Sequence, residues 1–240
     1  LNQGIEFDTA LDLAQVAQLA RVDLAPAGTL RARGKASLRE SAYLVEGSAS
    51  AAGVSVRHGE RLFDNIGLAS AFRVSNERIE LQGIRFSALG GGFSGRAAIE
   101  AFERLTLDGN LDTLDIQTAS APFLKRATPY NGRVSGPVSI TANLKSPGAS
   151  GLTARANLIV APGAGGVPVS GQINATFRGA DQVLELASTT LQLPHSRLRL
   201  DGATGSGVTV DFMSSDLRDF VQEIGSRVGK ECRSRWSPYH

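Results

Sequence analysis

At 240 residues the chain is long enough to bury a sizeable core, and a single cysteine, Cys232, leaves no internal disulfide framework to hold it. Hydrophobic residues make up 42% but aromatics only 6%, beside 27 glycines, so the apolar content is aliphatic and mostly small. The net charge of +2 takes its sign from residues 226–240, where Arg227, Lys230, Arg233 and Arg235 stand against Glu231; without them there is no basic stripe, and nucleic acid is not an expected partner.

No run approaches the ~20 apolar residues of a membrane helix, and none reads as a signal peptide. The chain begins at Leu1 and opens on "GIEFD", which reads as the middle of a strand. We therefore expect a piece of a longer protein, with any anchor or targeting segment upstream.

The first predicted element is helical. "FDTALDLAQVAQLA" (7–20) carries a capping-box pattern from Thr9 to Asp12 and a 3.6-residue rhythm, giving a helical insert near 9–20. Next, "GTLRARGKASL" (28–38) sets Leu30, Ala32, Gly34, Ala36 and Leu38 on one parity and Arg31, Arg33, Lys35 and Ser37 on the other: a strand with one oily and one wet face. The basic side chains are expected to keep an outer face soluble and to guard a sheet edge, in preference to meeting lipid headgroups. "RIELQGIRF" (78–86) alternates in the same way. "GGGFSG" (90–95) matches the dinucleotide fingerprint at Gly90, Gly92 and Gly95, but no strand–helix–strand unit surrounds it, so it is read as a tight turn.

After the strand "RLTLDGNL" (104–111), "LDIQTASAPFL" supplies a second helical insert near 115–124. "GRVSGPVSITANL" (132–144) then repeats the first strand's pattern, with Val134, Gly136, Val138, Ile140, Ala142 and Leu144 on one parity. Turn signals at "NGR" (131–133), "SPGASG" (146–151), "APGAGG" (161–166) and "RGADQ" (178–182) separate further strands: "GQINATF", "VLELASTTLQL" and "RLRLDG". A third helical insert is expected near 214–223, within "DFMSSDLRDFV".

The three helical segments are related through Asp12, Asp115 and Asp211, spaced 103 and 96 residues apart, and "RIELQGIRFSALGGGFSGRAAIE" matches "QVLELASTTLQLPHSRLRLDGAT" in shape. A period of about 100 residues over 1–225 predicts stacked modules, each burying its open edge on the next. The third copy fails at "GKECRSRWSPYH". Residues 226–240 are read as a basic tail foreign to the fold, a truncation or frame-change artefact.

Chemistry-bearing constellations are sparse. His58, His195 and His240 lie far apart in sequence, with no metal-ligand spacing and no nucleophile elbow. "DLRD" (216–219) reads as a charged helix surface, and "DGATGSGVTVD" (201–211) lacks the repetition of a calcium-binding roll. No catalytic residue, metal or cofactor is expected, and the chain is not read as an enzyme.

The Gly-led alternating strands "GTLRARGKASL" and "GRVSGPVSITANL", with "SALGGGFSGRAAI" and inserts such as "LDIQTASAPFL", resemble an internal segment of the AsmA-like superfamily, and within it the TamB-like components of the translocation and assembly module. The resemblance covers roughly residues 1–225. It implies a long curved antiparallel sheet, a meander shaped as a groove or taco, in the periplasm of a Gram-negative bacterium as part of an inner-membrane-anchored protein. It further implies transport of phospholipid between inner and outer membranes and, for the full-length protein, support of outer-membrane protein assembly with an Omp85-type partner.

A lipid conduit needs a continuous aliphatic lining, and small residues keep it wide. The residues expected to line it and meet acyl chains are Leu30, Ala32, Ala36, Leu38, Val134, Val138, Ile140 and Leu144. The competing expectation is a structural or adhesive β-solenoid whose interior is filled by those same side chains.

Overall fold

The computed structural model describes residues 3–20, 25–39, 42–58, 61–124 and 126–220. Alternation of apolar and polar side chains draws most of this chain into strands: β1 (Gln3–Asp12), β2 (Ala25–Ala27), β3 (Thr29–Arg39), β4 (Ala42–His58), β5 (Arg61–Ser75), β6 (Arg78–Ala88), β7 (Gly91–Glu100), β8 (Arg104–Asp115), β9 (Tyr130–Asn143), β10 (Leu152–Pro162), β11 (Val167–Pro168), β12 (Ser170–Arg178), β13 (Val183–Gln192), β14 (Ser196–Ala203) and β15 (Gly207–Ser214). The helices α1 (Leu13–Ala20) and α2 (Ile116–Ser120) and a 3-10 turn at Leu217–Phe220 interrupt them.

Thirteen of the strands follow one path, β1-β3-β4-β5-β6-β7-β8-β9-β10-β12-β13-β14-β15, every neighbour antiparallel; the short β2 pairs with β4, and β11 runs parallel to β9. The sheet does not close, since among the described residues β1 and β15 each have a partner on one side only. This is the mainly β, open antiparallel meander expected from the alternation. A solenoid is excluded as the architecture, because its coils stack in parallel on the preceding coil, whereas here every strand of the main path runs antiparallel to its neighbours.

With a side-chain period of two, register decides which face each side chain occupies. Phe7, Gly34, Gly47, Phe72, Leu81, Ala97, Leu107, Ile140, Ala154, Phe177 and Leu184 stand opposite one another in turn, so a single apolar row crosses eleven strands. One residue along, on the other face, Glu6, Lys35, Glu46, Arg73 and Glu80 form a row of alternating sign, in which Arg73 Nε lies 3.2 Å from Glu46. Opposite charges placed directly across a strand pair support the same register as the apolar row.

The row stays continuous because bulges absorb breaks in the alternation. In β6 the apolar spacing steps from Leu81 to Ile84, in β8 from Leu111 to Leu114, and in β4 from Ala51 to Val54; the register slips at these places. The extra residue sits at positive φ in each case: Gly83 (58°), Thr113 (48°) and Gly53 (64°). A left-handed residue at a bulge bends the strand and re-aims the side chains beyond it. Val54 and Ile84, which come directly after Gly53 and Gly83, are among the few buried side chains, and Ser188 (49°) precedes the buried Thr189 in β13.

Glycine also provides the floor for aromatic rings. The ring of Phe72 rests on Gly47 and that of Phe93 on Gly95 and Gly109, positions where a Cβ would come within about 2.9 Å of ring carbon or closer. The rings thus lie flat on the sheet, which helps it do without a covering layer.

The helical inserts differ from expectation in their boundaries. The first does not begin at Thr9: β1 continues to Asp12, because Ile5, Phe7 and Leu11 alternate and Thr9 pairs with Ala32. Asp12 caps α1 instead, its Oδ1 accepting from the Ala14 amide at 2.8 Å. The second insert is five helical residues, 116–120, capped by Asp115 Oδ1 accepting from the Thr118 amide at 2.8 Å. The third is the 3-10 turn, and Asp211 has no part in it: Asp211 lies in β15 opposite Arg199, while Asp216 accepts from the Arg218 amide at 2.9 Å. The matching aspartates are therefore Asp12, Asp115 and Asp216, spaced 103 and 101 residues apart. Residues 226–240, and with them Cys232, lie outside the described residues.

Two outcomes are expected. Gly95→Val forces a branched Cβ against the Phe93 ring and the Gly109 Cα and should cost about 1–3 kcal/mol, read as a lowered urea midpoint at unchanged slope. The free edges of β1 and β15 should make the chain self-associate as concentration rises, checked by light scattering; a monomer at every accessible concentration would show that the edges are protected.

Candidate apolar binding face

Leu30, Ala32 and Ala36 in β3 and Val138 and Ile140 in β9 are half-buried on one face of the sheet. Leu30 faces Leu11 and Ala51, Ala32 faces Thr9 and Ala49, and Ala36 faces Ile5 and Val45. Six strands away, about 29 Å along the sheet, Val138 faces Gly109 and Ala156, and Ile140 faces Leu107 and Ala154. The register therefore brings both sets into one apolar surface whose floor is largely Ala and Gly. Larger side chains rise from it with their surfaces open, among them Leu68, Phe86 and Leu184.

Three of the expected lining residues stand apart. Leu38 is 58% exposed at the end of β3. Leu144 comes after the end of β9 and lies in the turn, exposed, where its amide donates to the Glu103 carbonyl. Val134 is buried in a packed cluster with Val160 and Val169, against which Leu114, Ile116, Tyr130 and Leu191 also pack. That cluster is an ordinary core: α2 and the β11 segment close over one end of the sheet and remove Val134 from any open surface. Elsewhere cover is thin, since the only other buried apolar side chains among the described residues are Val54 and Ile84.

The opposite face is polar. Arg31, Arg33 and Lys35 point there, exposed, as their parity requires. They do not guard an edge, however, because β3 lies between β1 and β4.

A polar cluster with no warning in the sequence lies near the end of β15. "DLRD" is not simply a solvated face, because Asp219 is buried. Its carboxylate accepts from the His195 amide at 2.9 Å and the Ser196 hydroxyl at 2.8 Å, and lies 3.2 Å from His195 Nδ1. The Tyr130 hydroxyl donates to the Asp219 carbonyl at 3.3 Å, so the 3-10 turn is tied both to the β13–β14 turn and to the start of β9. Burial raises the Asp219 pKa, but hydrogen bonds from Ser196 and His195 outweigh it and hold the carboxyl below its ordinary value. Serine, histidine and aspartate meet here without forming a nucleophile: Ser196 donates to Asp219, not to the imidazole, so the cluster acts as a clasp. Asp115 is likewise lowered, chiefly by the Thr118 amide at the cap of α2.

No group of three or more His, Cys, Asp or Glu side chains among the described residues is placed to hold a metal ion. No helix among them is long and apolar enough to cross a membrane. The fold and face define an open antiparallel meander with one apolar side. In comparisons with protein-family models, curated proteins and solved structures, nothing matches the chain.

The clasp has a pH signature. The folded-state value of Asp219 is depressed, so its contribution is fully present above the ordinary carboxyl value of 3.8 and is lost as pH falls through the folded value. Asp219→Ala should therefore lower the melting midpoint at pH 7, and the gap from the parent chain should narrow at the acid end of a pH series. A gap of the same size at all pH values would assign the loss to packing alone.

Proposed function

We propose that the apolar face shelters phospholipid acyl chains, as one segment of a periplasm-spanning groove protein that moves lipid between the inner and outer membranes of a Gram-negative envelope. The observation that carries this reading is the apolar row that crosses eleven strands without a covering layer over most of its length. An acyl chain lying along such a surface gains about 0.8 kcal/mol for each CH₂ buried, with no need for a specific polar contact. The Ala and Gly floor leaves room for it, and the paired charges of the outer face keep the reverse side wetted.

The resemblance of the Gly-led strands to AsmA-like and TamB-like segments supports the same reading. By that resemblance the full-length protein is anchored in the inner membrane and supports outer-membrane protein assembly with an Omp85-type partner. No catalytic role is proposed, and no cofactor or metal is needed for passive sheltering of a lipid.

The test is native mass spectrometry with lipid extraction on protein purified from a Gram-negative host. Co-purifying phospholipid is expected, to be lost in Val138→Asp/Ile140→Asp and retained in Thr141→Asp, which places a carboxylate on the outer face of β9. If the double variant fails to fold, Ala156→Trp, which fills the floor beside Val138 without adding charge, serves in its place. A folded protein free of lipid would make the face a structural surface and overturn the reading.

A further inference from the structure

The outer face of β3–β6 holds a depression of about 630 Å³ whose construction has no part in the proposal above, since it lies on the reverse side of the sheet. Its floor is made of small side chains: Ser48 and Ser50 in β4, Ala69 and Ala71 in β5. Arg31 and Arg33 rise from β3 on one side and Arg85 from β6 on the other. In register, Arg31 stands opposite Ser50, Ser50 opposite Ala69 and Ala69 opposite Arg85, which puts the two arginines about 14 Å apart at Cα across a low floor.

Beside the depression the outer-face charges are matched: the row from Glu6 to Glu80 alternates in sign, and Arg78 meets both Glu80 and Glu100. The arginines of the depression are not. Neither Arg31 nor Arg85 makes an ion pair among the described residues, and Arg33 is held by its Nε–H donating to Ser48 Oγ at 3.4 Å. Asp8, opposite Arg33 in register, is the one carboxylate lining the depression, so three guanidinium groups and one carboxylate leave two positive charges.

Aligned on the leading glycines Gly28 and Gly132, Arg31, Arg33 and Lys35 correspond to Ser135, Pro137 and Ser139 of β9, which carry no charge. Cations at these three positions belong to one module and not to the other.

We propose that the depression binds a phosphate group carrying two negative charges. The planar fork of an arginine matches phosphate oxygens two at a time, and the serine hydroxyls of the floor add donors. The volume leaves room for the group to which the phosphate is esterified.

The test is calorimetric titration of the chain with sodium phosphate at low ionic strength. Saturable binding at one site is expected, weakened at least tenfold in Arg31→Gln/Arg85→Gln and changed less than twofold in Arg155→Gln, which removes the same kind of charge from the outer face of β10. Ala69→Leu, which fills the floor and leaves every charge in place, should weaken it as well, and it stands in if the double variant does not fold. Co-sedimentation with vesicles containing phosphatidic acid, whose phosphate is a monoester, separates the sources: release by free phosphate, with loss in Arg31→Gln/Arg85→Gln, identifies lipid headgroups, and phosphate binding without co-sedimentation identifies a soluble phosphate. No saturation by phosphate, or equal weakening by Arg155→Gln, overturns the proposal.

Discussion

Register is the constraint on which this molecule depends. A sheet of thirteen consecutive strands has no covering layer over most of its apolar side, so burial does little to correct a misplaced strand. A slip of one residue would turn a strand's apolar side chains to the wet face and its charges to the dry one. Two rows oppose the slip together. The apolar row from Phe7 to Leu184 and the charged row from Glu6 to Glu80 are offset by one residue, so any shift that spoils one spoils the other. The aromatic rings lying on glycine add a third restraint, since Phe72 rests on Gly47 and Phe93 on Gly95 and Gly109.

Much of this is legible in the chain itself. Period-two alternation in "GTLRARGKASL" and "GRVSGPVSITANL" determines which side chains share a face, and Leu30, Ala32, Ala36, Val138 and Ile140 do share one. The bulges are harder to see. Gly53 and Gly83 are residues that accept positive φ readily, but Thr113 and Ser188 carry no such mark. The signal for them is arithmetic: apolar positions step by two along a strand and then once by three, as from Leu111 to Leu114. Reading alternation one strand at a time hides that step. The same step explains Val134, which pairs with Leu114 beyond the bulge of β8 and so falls under α2, away from the open floor that Val138 shares with Gly109.

The helix starts differ from their sequence signals for a related reason. "FDTALD" fits a capping box by residue type, but its Phe7 and Leu11 also fit a strand, and the pairing energy of ten residues against β3 decides the matter. Helix formation waits until Asp12, whose carboxylate satisfies an amide that the strand no longer can. Asp115 and Asp216 do the same at the ends of β8 and β15. Their spacing of 103 and 101 residues is more even than the one obtained with Asp211, because the cap is the position the geometry requires. Asp219 escapes a reading of local sequence because burial of its carboxylate depends on His195 and Ser196, more than twenty residues away along the chain.

Within the repeat, one module can be read against the other, and the differences locate what the fold does not demand. Along the path β8 is the sixth strand after β1 and β15 the sixth after β8, and the cap aspartates fall in step with them. The apolar floor persists from module to module: Ala32, Gly34 and Ala36 correspond to Gly136, Val138 and Ile140. The wet face does not, since arginines in β3 give way to serine and proline in β9. A face held constant through the repeat answers to the sheet as a whole, whereas a cluster present in one module only must answer to something local. The two proposed binding surfaces divide along that line, the continuous face for chains that extend along the sheet and the arginine-rimmed depression for a compact charged group held at one place.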